Sequence, residues 1–366
     1  MGPPPPPNSG GKNIPGALAP GTPVGAYVIE GVLNAGGFGV VYRARDAQQR
    51  LVAIKISKHS AKSITAQQLV WQQNEIEALT RLRHPSLVEV LGYGFMDDGR
   101  LYLVMELVDG VVLGQYLQEK GPLEVLEALK LTRRIAEALA FCHELKVLHL
   151  DLKPANIIIT DPVEPKVKVL DFGLARLSNG FRTHEGGPIA GTLEYMAPEC
   201  FFGAVDRLTE KVDLYALGTL LYEMLSCVLP FPKDATYAAL GTLKRSAKMT
   251  PLEQTAPLVP PPVVGLVRSL LAPDPAQRFG EAGRLATRLK GLYFDLLHGN
   301  TGDGVVASLV SELASDDVPF VGRSREVALL LDAVDALVNH QGRALMLVGE
   351  AGMGKSRLIS QVLLHP

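Results

Sequence analysis

The first third of the chain alternates short β-branched runs with glycine turns. Residues 27–46 place two such runs around a glycine-rich turn, which predicts a β-hairpin. Three further runs, at 51–57, 87–95 and 101–108, predict the remaining strands of the same sheet. Residues 63–83 differ, because Leu69, Ile76, Leu79 and Leu82 recur there at helical spacing. The pattern therefore predicts a sheet-dominated lobe with one inserted helix.

The pattern changes after Gly110 to long amphipathic segments. Apolar positions recur at helical spacing over 122–145, 211–227 and 260–279, and a last helical segment ends near 297. A helical lobe thus follows a β lobe. This order predicts an α+β fold with two lobes and a cleft between them, and we place this domain at 25–295.

The two ends of the chain have other textures. Residues 1–24 are rich in proline and glycine, which predicts a disordered leader. A proline-binding partner is one interpretation of this leader, and a plain solvated tail is the more frequent one for such a composition. Residues 296–317 have the composition of a linker, and a new unit begins at 318 with a helix and a buried strand.

Composition narrows the class of protein. Of 366 residues, 47% are hydrophobic and 20% charged, which is typical of a globular protein with a sizeable core. A formal net charge of −2 gives no argument for nucleic acid as a partner. We expect no membrane span, because no run of about 18 apolar residues occurs. The scattered cysteines favour core thiols in a reducing compartment, and hence a cytoplasmic location.

The predicted hairpin carries a candidate phosphate-binding loop, LNAGGFGVV at 33–41. Gly36, Gly37 and Gly39 allow backbone amides to approach phosphate oxygens. Asn34 stands where such loops usually have their first glycine, and we expect the turn to survive because asparagine tolerates left-handed geometry. An ordinary hairpin remains the alternative for this motif alone. Val41 is placed to cover an adenine ring.

The next strand contains a lysine with the same candidate role. Lys55 in VAIK is placed to neutralise nucleotide phosphates if a carboxylate holds it. Glu75 on the inserted helix is our candidate partner. Glu77 is the competitor, and it lies about 200° round the helix from Glu75, so only one of the two faces the lysine.

A third motif, HLDLKPANIII at 149–159, is followed by a DFG triplet. Asp151 is placed to orient a substrate hydroxyl, and Lys153 to neutralise a transferring phosphate. Asn156 and Asp171 offer oxygen ligands to a hard cation. A lone DFG is most often a surface turn, but the two motifs at this separation argue against that interpretation.

Together these motifs resemble the eukaryotic-type (Hanks-type) serine/threonine protein kinase domain. The resemblance covers 27 to about 295 and implies ATP, Mg²⁺ and a protein substrate. It implies Met105 as gatekeeper, with Glu106 to Val108 as hinge and Leu33 and Ala53 also at the nucleotide. In GTLEYMAPE it implies Thr192 near the substrate hydroxyl and Glu199 paired with Arg278. It implies that Asp213 holds the catalytic loop backbone, and it implies a stacked spine of Leu79, Val90, His149 and Phe172.

The resemblance fails at one position of the catalytic loop. The family has arginine where this chain has Leu150, and that arginine collects a phosphate on the activation loop. We therefore expect a kinase that does not depend on activation-loop phosphorylation, for which Thr183 is the obvious site. A pseudokinase that binds nucleotide without catalysis, and a sensor serving a larger ATPase, are the rival interpretations.

A second phosphate-binding motif, GEAGMGKS, begins at Gly349. It follows a predicted strand and opens a helix, as in P-loop proteins, with Gly354, Lys355 and Ser356 at the signature positions. The segment 318–366 resembles the start of an AAA-type or signal-transduction ATPase, an incomplete α/β unit. We expect this P-loop not to work as an ATPase in the chain as it stands. Either the chain is a fragment of a kinase–ATPase protein, or the reading frame ends early.

Overall fold

The computed structural model describes residues 17–36, 39–60, 76–77, 79–161, 166–171, 192–202 and 208–298. The chain divides into two units, residues 1–313 and 314–366, and every described residue lies in the first. The start of the predicted leader, most of the predicted linker and the whole second unit therefore lie outside the described residues.

The N-terminal lobe is built on an antiparallel sheet. Its strands are β1 (Pro23–Val24), β2 (Tyr27–Ala35), β3 (Gly39–Arg45), β4 (Leu51–Ser60), β5 (Val90–Phe95) and β6 (Arg100–Glu106). Strand β1 pairs with β2, β2 to β4 form a meander, and β6 lies between β4 and the edge strand β5. One face of the sheet is closed by a small core around Ile29, Tyr42 and Ile54.

The predicted leader is too long at its C-terminal end. Val24 is only 2% exposed, and the strand β1 that contains it pairs with β2. Upstream, the Leu18 N–H donates to the Tyr42 hydroxyl at 3.0 Å. Ala17, Leu18 and Val24 are thus part of the lobe, because they cover apolar side chains of its sheet. The proline-rich composition around these three residues led to the prediction that they are disordered.

The inserted helix is described only in part. Ile76, Glu77, Leu79 and Thr80 are helical, and Ile76 and Leu79 are buried in the main core. The remainder of the predicted segment before Ile76 lies outside the described residues.

The C-terminal lobe is helical and surrounds one apolar helix. That helix, α4 (Lys211–Ser226), is buried on almost every side and packs against α2 (Val125–Glu144) and α7 (Pro261–Leu270). Most of its sequence is apolar, as expected for a central helix, and Asp213 is a buried charged exception. The other helices are α1 (Leu113–Lys120), α3 (Glu199–Phe202), α5 (Tyr237–Arg245), α6 (Leu252–Thr255) and α8 (Ala282–Leu297).

A small second sheet lies where the lobes meet. Strands β7 (Val111–Val112), β8 (Ile157–Asp161) and β9 (Lys166–Val169) pair antiparallel in that order. The main core runs without interruption from Ile76, Leu79 and Leu103 of the N-terminal lobe into α2 and α4. The predicted two-lobed α+β fold is confirmed, and the second sheet places the ends of β8 and β9 at the cleft.

Some predicted details differ. Helices α1 and α5 were not predicted, although Thr236 caps α5 by accepting a hydrogen bond from the Ala239 N–H at 3.4 Å. Cys142 and Cys200 are core thiols as predicted, whereas Cys227 is exposed just after α4. None of the helices in the described part of the chain has the length and apolar character needed to cross a bilayer.

Candidate active site

The catalytic loop brings three predicted residues into one hydrogen-bonded cluster. Lys153 Nζ lies 2.7 Å from Asp151 Oδ2 and 2.7 Å from the Thr192 hydroxyl. Thr192 in turn donates its N–H and its hydroxyl toward Asp151 Oδ1, both at 3.3 Å. Asp151 is nearly buried, so its carboxylate is held in one orientation by these partners. The arrangement presents a carboxylate and a cation side by side at the cleft.

Asn156 fixes the shape of the same loop. Its side-chain amide donates to the Asp151 carbonyl at 2.8 Å and to Asp151 Oδ2 at 3.1 Å. The backbone carbonyl of Asn156 accepts the Leu170 N–H at 2.8 Å, which links the loop to the residue before Asp171. The two predicted metal ligands, Asn156 and Asp171, are therefore connected through one backbone hydrogen bond.

Lys55 reaches across the cleft to Asp171. Its Nζ lies 2.8 Å from Asp171 Oδ2, and both side chains are largely buried, at 11% and 21% exposure. Asp171 has a left-handed backbone, with φ 63°. The predicted partner Glu75 lies outside the described residues, so that pairing stays a prediction. Its competitor Glu77 is 57% exposed and bonds Arg81, which is the outcome expected if Glu77 faces away from the lysine.

An apolar slot adjoins this ion pair. Ala53, Val88 and Met105 form a buried cluster, and Val41, Val90, Leu107, Val108 and Leu170 pack against it. Val41, Ala53, Met105 and Val108, which are predicted nucleotide contacts from three segments of the chain, thus line one surface. An apolar surface beside a lysine has the character expected of a site for an adenine ring and its phosphates.

Two other predicted nucleotide residues have different surroundings. Glu106 accepts hydrogen bonds from the Glu89 N–H and from Lys168, so its side chain ties β6 to β9. Leu33 is 43% exposed on β2. For both, contact with nucleotide stays a prediction.

The glycine loop closes as a hairpin. The Gly36 N–H donates to the Gly39 carbonyl at 2.9 Å, and a Cβ at Gly39 would lie 2.3 Å from the Ile56 carbonyl. Gly39 is therefore required by the close approach of β4. The expectation for Asn34 is wrong in its reason, because Asn34 pairs with Val41 within the ladder and has no left-handed backbone. Gly37 lies outside the described residues.

Asp213 anchors the start of the catalytic loop. Its carboxylate accepts the N–H groups of His149 and Leu150, each at 2.9 Å, and lies 2.8 Å from His143 Nε2. The side chain is only 1% exposed. Burial raises the pKa of Asp213, but the hydrogen bond and charge of His143 together with the His149 N–H outweigh it, and the pKa lies below its ordinary value. Burial also lowers the pKa of His149.

Leu150 occupies an unusual backbone position. Its φ is 65°, a region costly for a β-carbon, and the Asp213 hydrogen bond holds it there. Its side chain packs against the main core and lines a cavity with Asp151, Thr192, Met196 and Leu208. Leu150 of the loop and Met196 after Thr192 thus border one cavity and belong to the apolar packing of one core.

A buried ion pair supports that segment from below. Arg278 has no exposed side-chain surface and binds both oxygens of Glu199, at 2.6 and 2.7 Å. Its remaining donors reach the carbonyls of Ala272, Lys211 and Pro273. The guanidinium carbon also lies 4.9 Å from the centre of the Tyr215 ring. Each N–H donor of the buried Arg278 guanidinium therefore has an acceptor.

The structure does not describe the rest of the predicted site. Phe172 of the spine, Thr183 of the activation segment and the second P-loop (Gly349, Gly354, Lys355, Ser356) lie outside the described residues. In the spine, Leu79 and Val90 line one apolar pocket with Met105 and Asp171, and His149 is fully buried.

Three residues with contacts at the site were not predicted from the sequence: His143, Lys168 and Lys244. For His143 the sequence did contain a signal, because this histidine near the end of α2 lies only six residues before the catalytic loop.

The donor set fits magnesium bound together with a nucleotide. Within the described ranges, no group of three or more His, Cys, Asp or Glu side chains is arranged to hold a metal. Mg²⁺ typically takes one or two protein oxygens and completes its octahedron with phosphates and water. Asp171 and Asn156 supply that number of hard ligands.

The comparisons with known proteins agree with this geometry. The family model described as the protein kinase domain matches residues 27–290, and the AAA ATPase domain model matches 319–366. The chain is 32% identical over 277 residues to serine/threonine-protein kinase pkn3 of Myxococcus xanthus, covering 72% of this chain and 49% of that protein. It is 34% identical over 269 residues to PrkC of Bacillus subtilis, covering 73% and 40%.

Solved structures give the same result. The Mycobacterium tuberculosis PknI kinase domain superposes with a TM-score of 0.60 at 27% identity, covering 75% of this chain and 98% of that one. Rad53 1–466 in complex with AMP-PNP gives 0.58 at 27% identity, covering 70% and 63%.

The chain belongs to the protein kinase family, and its residues 319–366 match the AAA ATPase domain model. The curated relatives named above are bacterial serine/threonine-protein kinases. The chain spans half or less of the length of these relatives.

We predict that Glu199→Ala lowers the free energy of unfolding by about 3–5 kcal/mol, because it leaves Arg278 buried and unpaired. The matched control is Glu253→Ala, which removes the exposed Arg268–Glu253 pair, whose side chains are 64% and 48% exposed. That control is expected to cost less than about 1 kcal/mol. Urea unfolding of both variants checks this, and equal losses would contradict a structural role specific to the buried pair.

Proposed function

We propose that the chain transfers the γ-phosphoryl group of ATP to serine or threonine hydroxyls of a protein, in a Mg²⁺-dependent reaction. The observation that carries this proposal is the Asp151–Lys153–Thr192 cluster, with its distances of 2.7 Å around Lys153. The resemblance to serine/threonine kinases implies that these three residues surround the hydroxyl group that accepts the phosphoryl group. Membership of the protein kinase family and the similarity to serine/threonine-protein kinase pkn3 of Myxococcus xanthus support the same reaction.

Each residue has a defined task in this reaction. Asp151 orients the acceptor hydroxyl and takes its proton as the hydroxyl oxygen bonds to the γ-phosphorus. The bond from that phosphorus to the β–γ bridging oxygen breaks, and ADP leaves with the electron pair. Lys153 neutralises charge on the transferring group, and Lys55 holds the nucleotide phosphates. Magnesium, when held by Asp171 and Asn156, supplies Lewis-acid neutralisation of the phosphates.

The Lys55–Asp171 ion pair bears on how the nucleotide enters. Each group neutralises the other at 2.8 Å. A nucleotide with its cation offers Lys55 phosphate oxygens and Asp171 a metal, so both charges keep an opposite partner. The exchange therefore leaves neither side chain as an unpaired buried charge, which favours binding.

We further propose that activity does not depend on phosphorylation of the activation segment. The supporting observation is Leu150, which offers no donor to a phosphate, packs against the main core and lines one cavity together with Met196 and Leu208. Apolar packing of this kind is present at all times and needs no modification. The segment beyond Thr192 is thereby joined to the catalytic loop without a phosphate.

The rival is a pseudokinase that binds nucleotide without transfer. We favour catalysis because Lys55, Asp151, Asn156 and Asp171 are all retained, and Asp151 is held by four hydrogen bonds from three residues. A binding module requires no such arrangement around Asp151.

We predict that Asp151→Asn lowers autophosphorylation with labelled ATP by about 10²–10⁴-fold, the usual contribution of a positioned general base. Asp234→Asn, at an exposed aspartate, is the matched control and should retain the wild-type rate. Incorporation that is equal in wild type and Asp151→Asn would favour the pseudokinase. Phosphoamino-acid analysis of the product is expected to give phosphoserine or phosphothreonine.

We predict that Thr183→Ala changes kcat on a generic protein substrate by less than about twofold, an effect below 0.5 kcal/mol on the barrier. Thr192→Ala is the contrasting variant and should lower activity strongly, because it removes a contact of both Asp151 and Lys153. Initial rates measured for the three proteins in parallel decide this. A collapse of kcat in Thr183→Ala would refute independence from activation-segment phosphorylation.

A further inference from the structure

A lysine is completely buried beneath the segment that follows Thr192. Lys244, near the end of α5, has 0% exposure. Its Nζ donates to the carbonyls of Leu193, Glu194 and Met196 at 3.1, 2.7 and 2.7 Å. An ammonium group carries three N–H donors, and each has an acceptor here. All of the acceptors belong to one backbone turn.

Aromatic rings complete the surroundings of this ammonium. Its Nζ lies 5.2 Å from the centre of the Tyr215 ring, 5.5 Å from Phe231 and 5.8 Å from Phe201. Burial lowers the pKa of Lys244 to about 7, while the nearby Glu194 and Cys200 raise it. The three carbonyl dipoles and the ring faces favour the charged form. Burying an ammonium group costs free energy that an apolar side chain of similar size would not, so we assign Lys244 a role beyond packing.

The turn that Lys244 holds is the one that contains the acceptor side of the site. The Tyr195 N–H donates to the Thr192 carbonyl at 3.0 Å, and the Met196 N–H to the Leu193 carbonyl at 3.3 Å. Thr192 at the start of the turn contacts Asp151 and Lys153. Tyr195 and Met196 line the same cavity as Asp151. A shift of this turn therefore moves the wall of the cleft next to Asp151.

The three hydrogen bonds from Lys244 to the turn all go to backbone carbonyls. The side chain of Tyr195 has a separate anchor, a short hydrogen bond to Glu223. Loss of Lys244 would thus leave the side-chain anchor and the Arg278–Glu199 pair in place while freeing the carbonyls of Leu193, Glu194 and Met196. The effect should fall on the backbone geometry of residues 193–196 rather than on the fold of the lobe.

We propose that Lys244 is a positioning residue that fixes the backbone of residues 193–196 and so determines how well the protein substrate binds beside Asp151. This rests on the proposed kinase function. Lys244 acts on the acceptor side only, because the nucleotide groups Lys55, Ala53 and Met105 belong to the other lobe. The KM for the protein substrate, and not the KM for ATP, depends on this residue.

The test uses the full chain with Lys244→Met, which keeps the length of the side chain and removes its donors. Lys248→Met, at an exposed lysine just after the same helix, is the matched control. With casein as the protein substrate, the KM for casein should rise roughly tenfold or more, as expected for loss of charge-assisted hydrogen bonds. The kcat and the KM for ATP should remain within about twofold. An unchanged KM for casein, or equal losses in both KM values and kcat, would overturn the proposal.

A second readout does not require activity. Hydrogen exchange of the peptide that covers residues 192–197 should accelerate roughly tenfold in Lys244→Met and remain at the wild-type rate in Lys248→Met. If the wild type shows neither autophosphorylation nor phosphorylation of casein, the kinase proposal fails, and this exchange still decides whether Lys244 holds the turn. Lys244→Arg serves if the methionine variant does not fold. Its planar fork does not match three convergent carbonyls, so exchange must again accelerate, and wild-type exchange refutes the proposal.

Discussion

The buried carboxylate of Asp213 is the constraint on which the site depends. It accepts the N–H groups of His149 and Leu150 and lies against His143, so one side chain of the central helix α4 sets the entry of the catalytic loop. A buried carboxylate is stable only when hydrogen bonds and charge compensate for lost hydration. Here those partners also force Leu150 into its left-handed conformation, with φ 65°. Asp151 and Lys153 follow Leu150 in the loop, so the backbone conformation of Leu150 determines where their side chains lie.

Helix α4 supports the acceptor side by independent means. Tyr215, two residues after Asp213, presents its ring to both buried cations, Lys244 and Arg278. Lys244 holds the turn after Thr192 from its carbonyls, and Arg278 holds the following helix through Glu199. The catalytic loop and residues 193–199 are therefore both supported by one largely buried helix. Placing a site on such an element keeps its groups within the small tolerances that phosphoryl transfer requires.

Most of the fold and the central motif residues could be predicted from the sequence, and the reasons are local. Strand and helix periods in 27–46, 122–145 and 211–227 are strong, and the motif around Asp151 is dense in polar groups at fixed spacing. What could not be predicted depends on contacts distant in sequence. Lys244 has no motif, because its acceptors are backbone carbonyls some fifty residues earlier. The burial of Val24 likewise depends on a core shared with Tyr42 and Ile54, which lie about 20 and 30 residues further along the chain.

The most direct test of this account is the kcat of Asp213→Asn, measured with saturating ATP, magnesium and casein. Asparagine keeps the shape of the side chain but replaces one acceptor oxygen by a donor, so the N–H groups of His149 and Leu150 lose their common carboxylate. Misplacement of the loop by about 1 Å should lower kcat by about 10²-fold, while the KM for ATP changes by less than about threefold. A kcat within about twofold of wild type in a folded Asp213→Asn protein would contradict the claim that this carboxylate positions the catalytic loop.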